Sequence, residues 1–469
     1  MTLSPLLVTP DDYSLLTDLY QLTMTACYAG EGLDQRRASF ELFARRLPKN
    51  LGYLIAMGLT QALEFLQNFH FSDRHLDALK GTGIFDQAPP RFWDLLSGAR
   101  FTGDVWAVPE GTAMFANEPL LRIEAPLWQA QIVETYLLNT LNYQTLIATR
   151  AARLRDVTGP EAMLLEFGTR RAFSPQGAIW AARAAIAGGL TATSNVWAAL
   201  QLGQKPVGTM AHALVMAITA IAGSEADAFE AFHRYFPGAP LLIDTYDTVA
   251  AARYLAEHRQ TGTSALAGVR LDSGDLARLS QQVRALLPDV SIFASGDLDE
   301  YEITRLNQAG ACIDGYGFGT RLVTGDPVNG VYKLVDIDGI PVMKEASGKI
   351  TYPGCKQVFR YGADGSAHKD VLGLATEPPP EGTQPLLQRV MTNGELQVTP
   401  EPLATIAQRT AASVASLPQS CRTVTDSEPF PVTLSPALTE LTEQTRRGHR
   451  PLKEQGGLGC QGAKTAPLP

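Results

Sequence analysis

The sequence has little of what marks a stapled, metal-bound or membrane protein. Its five cysteines among 469 residues, Cys27, Cys312, Cys355, Cys421 and Cys460, form no CxxC pair. That argues against a zinc site and a disulfide framework and fits a reducing cytoplasm. Apolar stretches such as 211–221 are interrupted and fall short of the roughly 20 residues that span a bilayer. The first 14 residues lack the basic start and apolar centre of a signal peptide. Positive charge is also scarce: a net charge of -9 excludes indiscriminate binding to nucleic acid or anionic membrane. The HExxH, GxSxG and GxxxxGK[ST] patterns are absent, which removes the usual support for zinc proteases, serine hydrolases and P-loop proteins.

What is present is an ordinary globular composition, 45% apolar and 19% charged, long enough for about two to four domains. From residue 160 onward, short apolar runs alternate with helical patterns. The runs are 163–167, 190–193, 206–209, 241–245, 267–271, 290–295 and 312–316; the helical stretches include 224–236, 248–258, 275–287 and 298–308. Such alternation predicts parallel strands with crossover helices, and seven or eight units predict a closed barrel over an open sheet. The expected fold class is α/β, an irregular β/α barrel over 146–341 packed against an N-terminal α+β domain over 1–145. In the latter, 39–47 reads as a strand, 53–69 as a helix and 101–123 as short strands between turns. Residues 342–400 are expected to pack back onto that domain, 401–445 to form a C-terminal extension, helical and then extended, and 446–469 a disordered, basic tail.

Polar and glycine-rich clusters follow the predicted strands, and in a barrel those loops converge on one face. Gly208-Thr209-Met210-Ala211-His212 ends a strand-like run just before an apolar helix. A histidine there reads either as a hydrogen-bonded core residue or as a reactive group. Asp244 ends the next predicted strand, where a carboxylate orients an imidazole or simply caps a helix. Arg270 and Asp272 share one side of a strand through its two-residue period and form either a paired site or a structural ion pair. Arg170 with Arg171, and Arg45 and Arg46 with Lys49, suit anions. Gly317-Phe318-Gly319-Thr320 suits a phosphate or a plain turn.

Six motifs occur in order: Thr17-Asp18-Leu19-Tyr20-Gln21, Glu166-Phe167-Gly168-Thr169-Arg170-Arg171, Thr193-Ser194-Asn195-Val196, Gly208-Thr209-Met210-Ala211-His212, Val269-Arg270-Leu271-Asp272-Ser273-Gly274-Asp275 and Gly317-Phe318-Gly319-Thr320. With them, from about residue 12 to 445, the chain resembles the nicotinate phosphoribosyltransferases. The resemblance implies a type II phosphoribosyltransferase fold and a homodimer with shared active sites. It implies condensation of nicotinate with phosphoribosyl diphosphate, driven by ATP as co-substrate through a phosphohistidine, with Mg2+ on the diphosphate. The roles it implies are His212 as phosphoryl acceptor held by Asp244, and Tyr20 of the neighbouring subunit with Phe167 sandwiching the pyridine. Arg270 and Thr209 would take its carboxylate and Arg170 the diphosphate. Asp272 would face the ribose, and Gly317, Gly319 and Thr320 the 5′-phosphate. Ser194 stands where the related nicotinamide enzyme has an aspartate, which favours the acid over the amide. No residue is assigned to a metal. A nicotinamide- or quinolinate-using relative and a non-catalytic nucleotide sensor are the competing readings.

Overall fold

A computed structural model describes Leu6 and residues 8–259, 266–346, 349–362 and 365–448. Two packed cores organise them. The first lies on a seven-stranded antiparallel sheet ordered Ile340–Pro341, Gly330–Ile337, Arg37–Ala44, Pro119–Pro126, Asp104–Ala107, Gln388–Thr392 and Glu395–Leu396. The strand 330–337 falls within the span expected for the barrel, yet it pairs with 37–44 in this sheet. Of the 342–400 segment, 388–396 also joins it. The strands Lys356–Tyr361 and Lys369–Leu374 instead build a separate four-stranded sheet with Thr383–Pro385 and Val432–Leu434. That sheet is tied to the first by the buried ion pair of Lys356 Nζ with Glu41 Oε2 at 2.8 Å and by Arg122, which donates to the Lys356 carbonyl at 2.6 Å.

The second core surrounds six parallel strands in the order Ala192–Thr193, Met163–Glu166, Gly315–Phe318, Ser291–Ser295, Gly268–Leu271 and Leu241–Leu242. The expected strand 206–209 forms no ladder, because Pro206 has no N–H and glycine holds an extended chain poorly. It nevertheless bridges the two sheet edges: Val207 N donates to the Thr193 carbonyl at 2.9 Å, and the Thr209 hydroxyl donates to the Pro240 carbonyl. The sheet therefore closes round into an irregular barrel. Alternation along the strands does the rest. Leu164, Val269, Leu271, Ile292, Tyr316 and Phe318 turn outward into the core with the covering helices, which leaves the alternate residues to line the barrel.

The helix Glu134–Thr158 joins the two cores: Leu137 and Leu141 pack in the first, Ile147, Ala148 and Ala151 in the second. Over 25 residues it is about 37 Å long, at about 1.5 Å per residue. The expected helix 53–69 is a strand, Leu54–Ile55, and then a helix, Leu59–Gln67. Gly58 intervenes at φ 100°, a left-handed conformation no helix interior accepts. The strand expected over 312–316 is Gly315–Phe318. In the C-terminal extension the chain is helical over Leu403–Ser416, extended over Val432–Leu434 and helical again over Pro436–Gly448. That last helix takes in the first residues expected for the tail; 449–469 lie outside the described residues. Among the described residues no helix is long and apolar enough to cross a membrane.

Candidate active site

The barrel interior holds a cavity of about 340 Å3 whose walls include Leu165, Phe167, Thr209, Arg270, Phe293 and Gly317. The glycines shape it. A Cβ on Gly317 would lie 2.5 Å from the Phe167 ring, and one on Gly315 2.6 Å from Phe293, so both rings lie flat only because those side chains are missing. Gly317→Ala is therefore expected to push Phe167 out of place. The catalytic efficiency for whatever substrate the cavity holds should fall by roughly tenfold or more, since a misplacement of about 1 Å costs up to about 100-fold in rate. Saturation kinetics on the variant check this, and an unchanged kcat/KM would separate the ring from the site.

Arg270 is the one cation in this largely apolar wall. Burial pulls its guanidinium below the ordinary value, opposed by Asp272 and Asp244 and reinforced by Arg170, and its Nε is buried without a hydrogen-bond partner. Asp272 acts on it through its charge, while its Oδ1 accepts the Ser295 hydroxyl. A half-buried cation whose Nε is buried and unfilled, set in an apolar pocket, is a receptor for an anion. Thr209 lies beside it, but its hydroxyl proton is engaged by the Pro240 carbonyl; to donate to a ligand it must first leave that oxygen.

His212 opens the helix His212–Ala222, whose N-terminus has no side-chain cap, and its free N–H groups and dipole favour an incoming anion. Asp244 Oδ1 faces His212 Nε2 at 3.9 Å, an ion-pair distance longer than a hydrogen bond. The Asp244 side chain is 2% exposed, its Oδ1 has no hydrogen-bond partner, and its Oδ2 accepts from Asp272 N at 2.8 Å and the Ser273 hydroxyl at 2.7 Å. A carboxylate opposite Nε2 favours the tautomer protonated there. Nδ1 then carries the lone pair, which in this structure accepts the Thr245 hydroxyl at 3.1 Å. Thr245 was not singled out by sequence reasoning, although its place beside Asp244 in Leu242-Ile243-Asp244-Thr245 carried the signal.

The remaining residues fall around this centre unequally. Glu166, fully buried and pushed up by that burial, accepts from Gly168 N and the Thr193 hydroxyl, fixing the turn that carries Arg170 at the surface. Ser194 is half-buried and hangs from the Glu166 carbonyl through its backbone N at 2.9 Å. Gly319 precedes the short helix Thr320–Val323, and Thr320 lines a different cavity of about 470 Å3, with Lys49, Arg150 and Asp297. Tyr20 is also apart: 46% exposed, it lines a third cavity with Asp18, Thr135 and Phe173. Burial and the nearby Glu134 and Asp18 push its phenol up to about 12. One chain thus brings Phe167, Thr209, Arg270 and Gly317 together, bonds Asp272 to Asp244 with His212 facing the latter at 3.9 Å, and leaves Tyr20 and Thr320 outside the barrel cavity.

Comparison with known proteins shows what the whole chain is similar to. Profiles of the nicotinate phosphoribosyltransferase N-terminal domain, the nicotinate phosphoribosyltransferase family and the C-terminal domain match residues 15–142, 162–304 and 379–442. The chain is 43% identical over 391 residues to nicotinate phosphoribosyltransferase pncB2 of Mycobacterium tuberculosis, covering 81% of this chain and 82% of that one. It is 43% identical over 367 residues to the Bacillus subtilis nicotinate phosphoribosyltransferase, covering 75% and 73%. The crystal structure of human nicotinic acid phosphoribosyltransferase superposes with a TM-score of 0.80 at 30% identity, over 91% of this chain and 99% of that one. That of a nicotinate-nucleotide pyrophosphorylase from Pyrococcus furiosus gives 0.72 at 26%, over 89% and 99%.

Proposed function

Because this chain belongs to the nicotinate phosphoribosyltransferase family, we propose that it joins nicotinate to phosphoribosyl diphosphate, with ATP driving the reaction through a phosphohistidine at His212, and so feeds NAD synthesis. The observation that carries the reading is Arg270, a desolvated guanidinium with an unpartnered Nε beside Phe167 in an apolar cavity. The nicotinate carboxylate meets that cation while the pyridine lies on the Phe167 ring. Tyr20 of the partner subunit covers the other face; its exposure, away from Phe167 of its own chain, supports a homodimer with shared sites. Ser194 leaves the rim without the anion that would repel an acid.

In the transfer step the pyridine nitrogen bonds to ribose C1′ as the C1′–O bond to diphosphate breaks. The leaving group takes the electron pair and the positive charge passes to the pyridinium. Asp272, ordered by Ser295, steadies the electron-poor sugar. Arg170 takes the departing diphosphate with Arg45 or Arg46; Arg45 has a buried, unpartnered Nε. Gly319 and Thr320 hold the 5′-phosphate. Among the described residues no three His, Cys, Asp or Glu side chains converge to hold a metal. A magnesium ion brought in on the diphosphate and ATP oxygens would neutralise their charge as the bonds break.

For the ATP step, Nδ1 of His212 bonds to the γ-phosphorus as the bond to the β-phosphate oxygen breaks and ADP leaves. The Nε2 proton stays opposite Asp244, whose charge balances the ring as it becomes cationic. The test is incubation with γ-labelled ATP, phosphoribosyl diphosphate and, in turn, nicotinate, nicotinamide and quinolinate. Nicotinate mononucleotide, diphosphate and acid-labile protein phosphate are expected with the first base. Turnover only with either other base would overturn the substrate, and no diphosphate release from any would leave a nucleotide sensor.

A further inference from the structure

Resting on the reading that Tyr20 completes the site of the partner subunit, we propose that Glu134 is the positioning residue for it: a buried carboxylate that bolts the start of the Tyr20 helix onto the helix 134–158 and so sets where the ring is held out. Tyr20 is the second residue of the helix Leu19–Gly30 and is 46% exposed, so packing within its own chain leaves much of it free. Bonds on either side of it fix its place. On one side Asp18 makes no side-chain cap for that helix and turns to Thr135, whose hydroxyl donates to Asp18 Oδ2 at 2.9 Å and accepts from Asp18 N at 3.2 Å. On the other side Gln21, fully buried, donates through Nε2 to Glu134 Oε2 at 2.8 Å. Gln131 Nε2 closes the group, donating to Gln21 Oε1 at 2.7 Å and to Glu134 Oε2 at 3.0 Å.

Glu134 and Gln131 are themselves buried, and a directional bond between buried groups keeps its geometry because no water is at hand to replace it. The two bolts bracket Tyr20, at 18 and 21, and both end on the first turn of the helix 134–158. The ring is thereby referred to the element that joins the sheet core to the barrel core. Glu134 Oε1 is left toward Lys333, whose Nζ lies 3.8 Å away. Burial and the like charges of Arg45 and Lys344 pull that ammonium below its ordinary value, and Glu134 opposes them. With an apolar side chain in place of Glu134, Gln21 Nε2 would lose its acceptor and Lys333 its nearby negative charge. The first turn of the Tyr20 helix would then swing on Asp18 alone. Tyr20 and Phe167 line different cavities of one chain, so a misplaced ring damages the neighbouring barrel and not its own.

The experiment is steady-state nucleotide formation by full-length chains, as homodimers and as mixed dimers co-expressed with different tags and purified on both. Glu134→Leu as a homodimer should lose about tenfold or more in kcat/KM for nicotinate, given that a misplacement of about 1 Å costs up to about 100-fold. On a Tyr20→Ala background the same change should cost nothing further, because both act through one ring. Paired with an Arg270→Ala chain, Glu134→Leu should recover about half the wild-type rate per dimer, since a twofold dimer then holds one site made of its sound barrel and the other chain's sound Tyr20. A chain that merely misfolds has no such recovery open to it. Gln21→Met breaks the same bond from the other end and should behave alike, which keeps the test decisive if Glu134→Leu yields no folded chain. The control is a Tyr20→Ala chain paired with Arg270→Ala. A Glu134→Leu mixed dimer no better than the Arg270→Ala homodimer, while the control recovers, would overturn the proposal, as would a loss that adds in full to that of Tyr20→Ala. A control that fails to recover would instead remove the shared site, and this proposal with it.

Discussion

His212→Ala is expected to abolish the stimulation of nucleotide formation by ATP while sparing a slow, ATP-independent transfer at high substrate concentration. The ring stands at the uncapped start of the helix 212–222, with Asp244 behind it and Thr245 on Nδ1. The base cavity, by contrast, is lined without it, so the transferring residues remain. Phosphorylation places close to two negative charges and three acceptor oxygens beside the diphosphate site. Coupling between two such sites is typically worth about 1–3 kcal/mol, or about 5- to 150-fold in affinity. The ratio of rates with and without ATP should therefore collapse to one, and no label from γ-labelled ATP should stay on the protein. ATP hydrolysis still coupled to nucleotide formation in the variant would sink the role given to His212.

Arg270→Ala should be the most damaging change to use of the base. Removing one partner of a buried ion pair costs about 3–5 kcal/mol, because the other charge is left dry; under the proposed function the stranded charge is the nicotinate carboxylate. That corresponds to roughly 100- to 1,000-fold or more in kcat/KM for nicotinate. Arg270→Lys keeps the charge but not the planar fork and should recover only part of the loss. An uncharged base such as nicotinamide has no carboxylate to strand and should be affected much less, which narrows the discrimination between acid and amide. A defect seen only in saturation by phosphoribosyl diphosphate would place Arg270 on the other substrate.

Much of the barrel was legible because its signals are local. The strands 163–166, 268–271 and 291–295 and the helices 276–286 and 300–308 lie within a few residues of where apolar periodicity puts them. The misreadings have physical causes that act at a distance or on single backbone angles. The stretch 206–209 has strand-like composition, but Pro206 and Gly208 spoil a ladder, and its place is fixed by bonds to Thr193 and Pro240 instead. Gly58 breaks what looked like one continuous helix by adopting φ 100° and donating its N–H to Glu110. The strand 330–337 follows the last barrel strand in sequence, yet it inserts beside 37–44, a pairing that short-range pattern cannot foresee.

By itself, the sequence determined the α/β class, the order of the six motifs and, through the two-residue strand period, that Arg270 and Asp272 lie on one side. Those follow from covalent geometry and local apolar spacing. Only the tertiary structure decided what that side faces. Closure of the barrel leaves Arg270 with a buried, open Nε and gives Asp272 Oδ1 to the Ser295 hydroxyl. Folding likewise carried Tyr20 into a different cavity from the Phe167 of its own chain. Burial and long-range contact fix the charge and company of a side chain, and neither is written in its immediate neighbours.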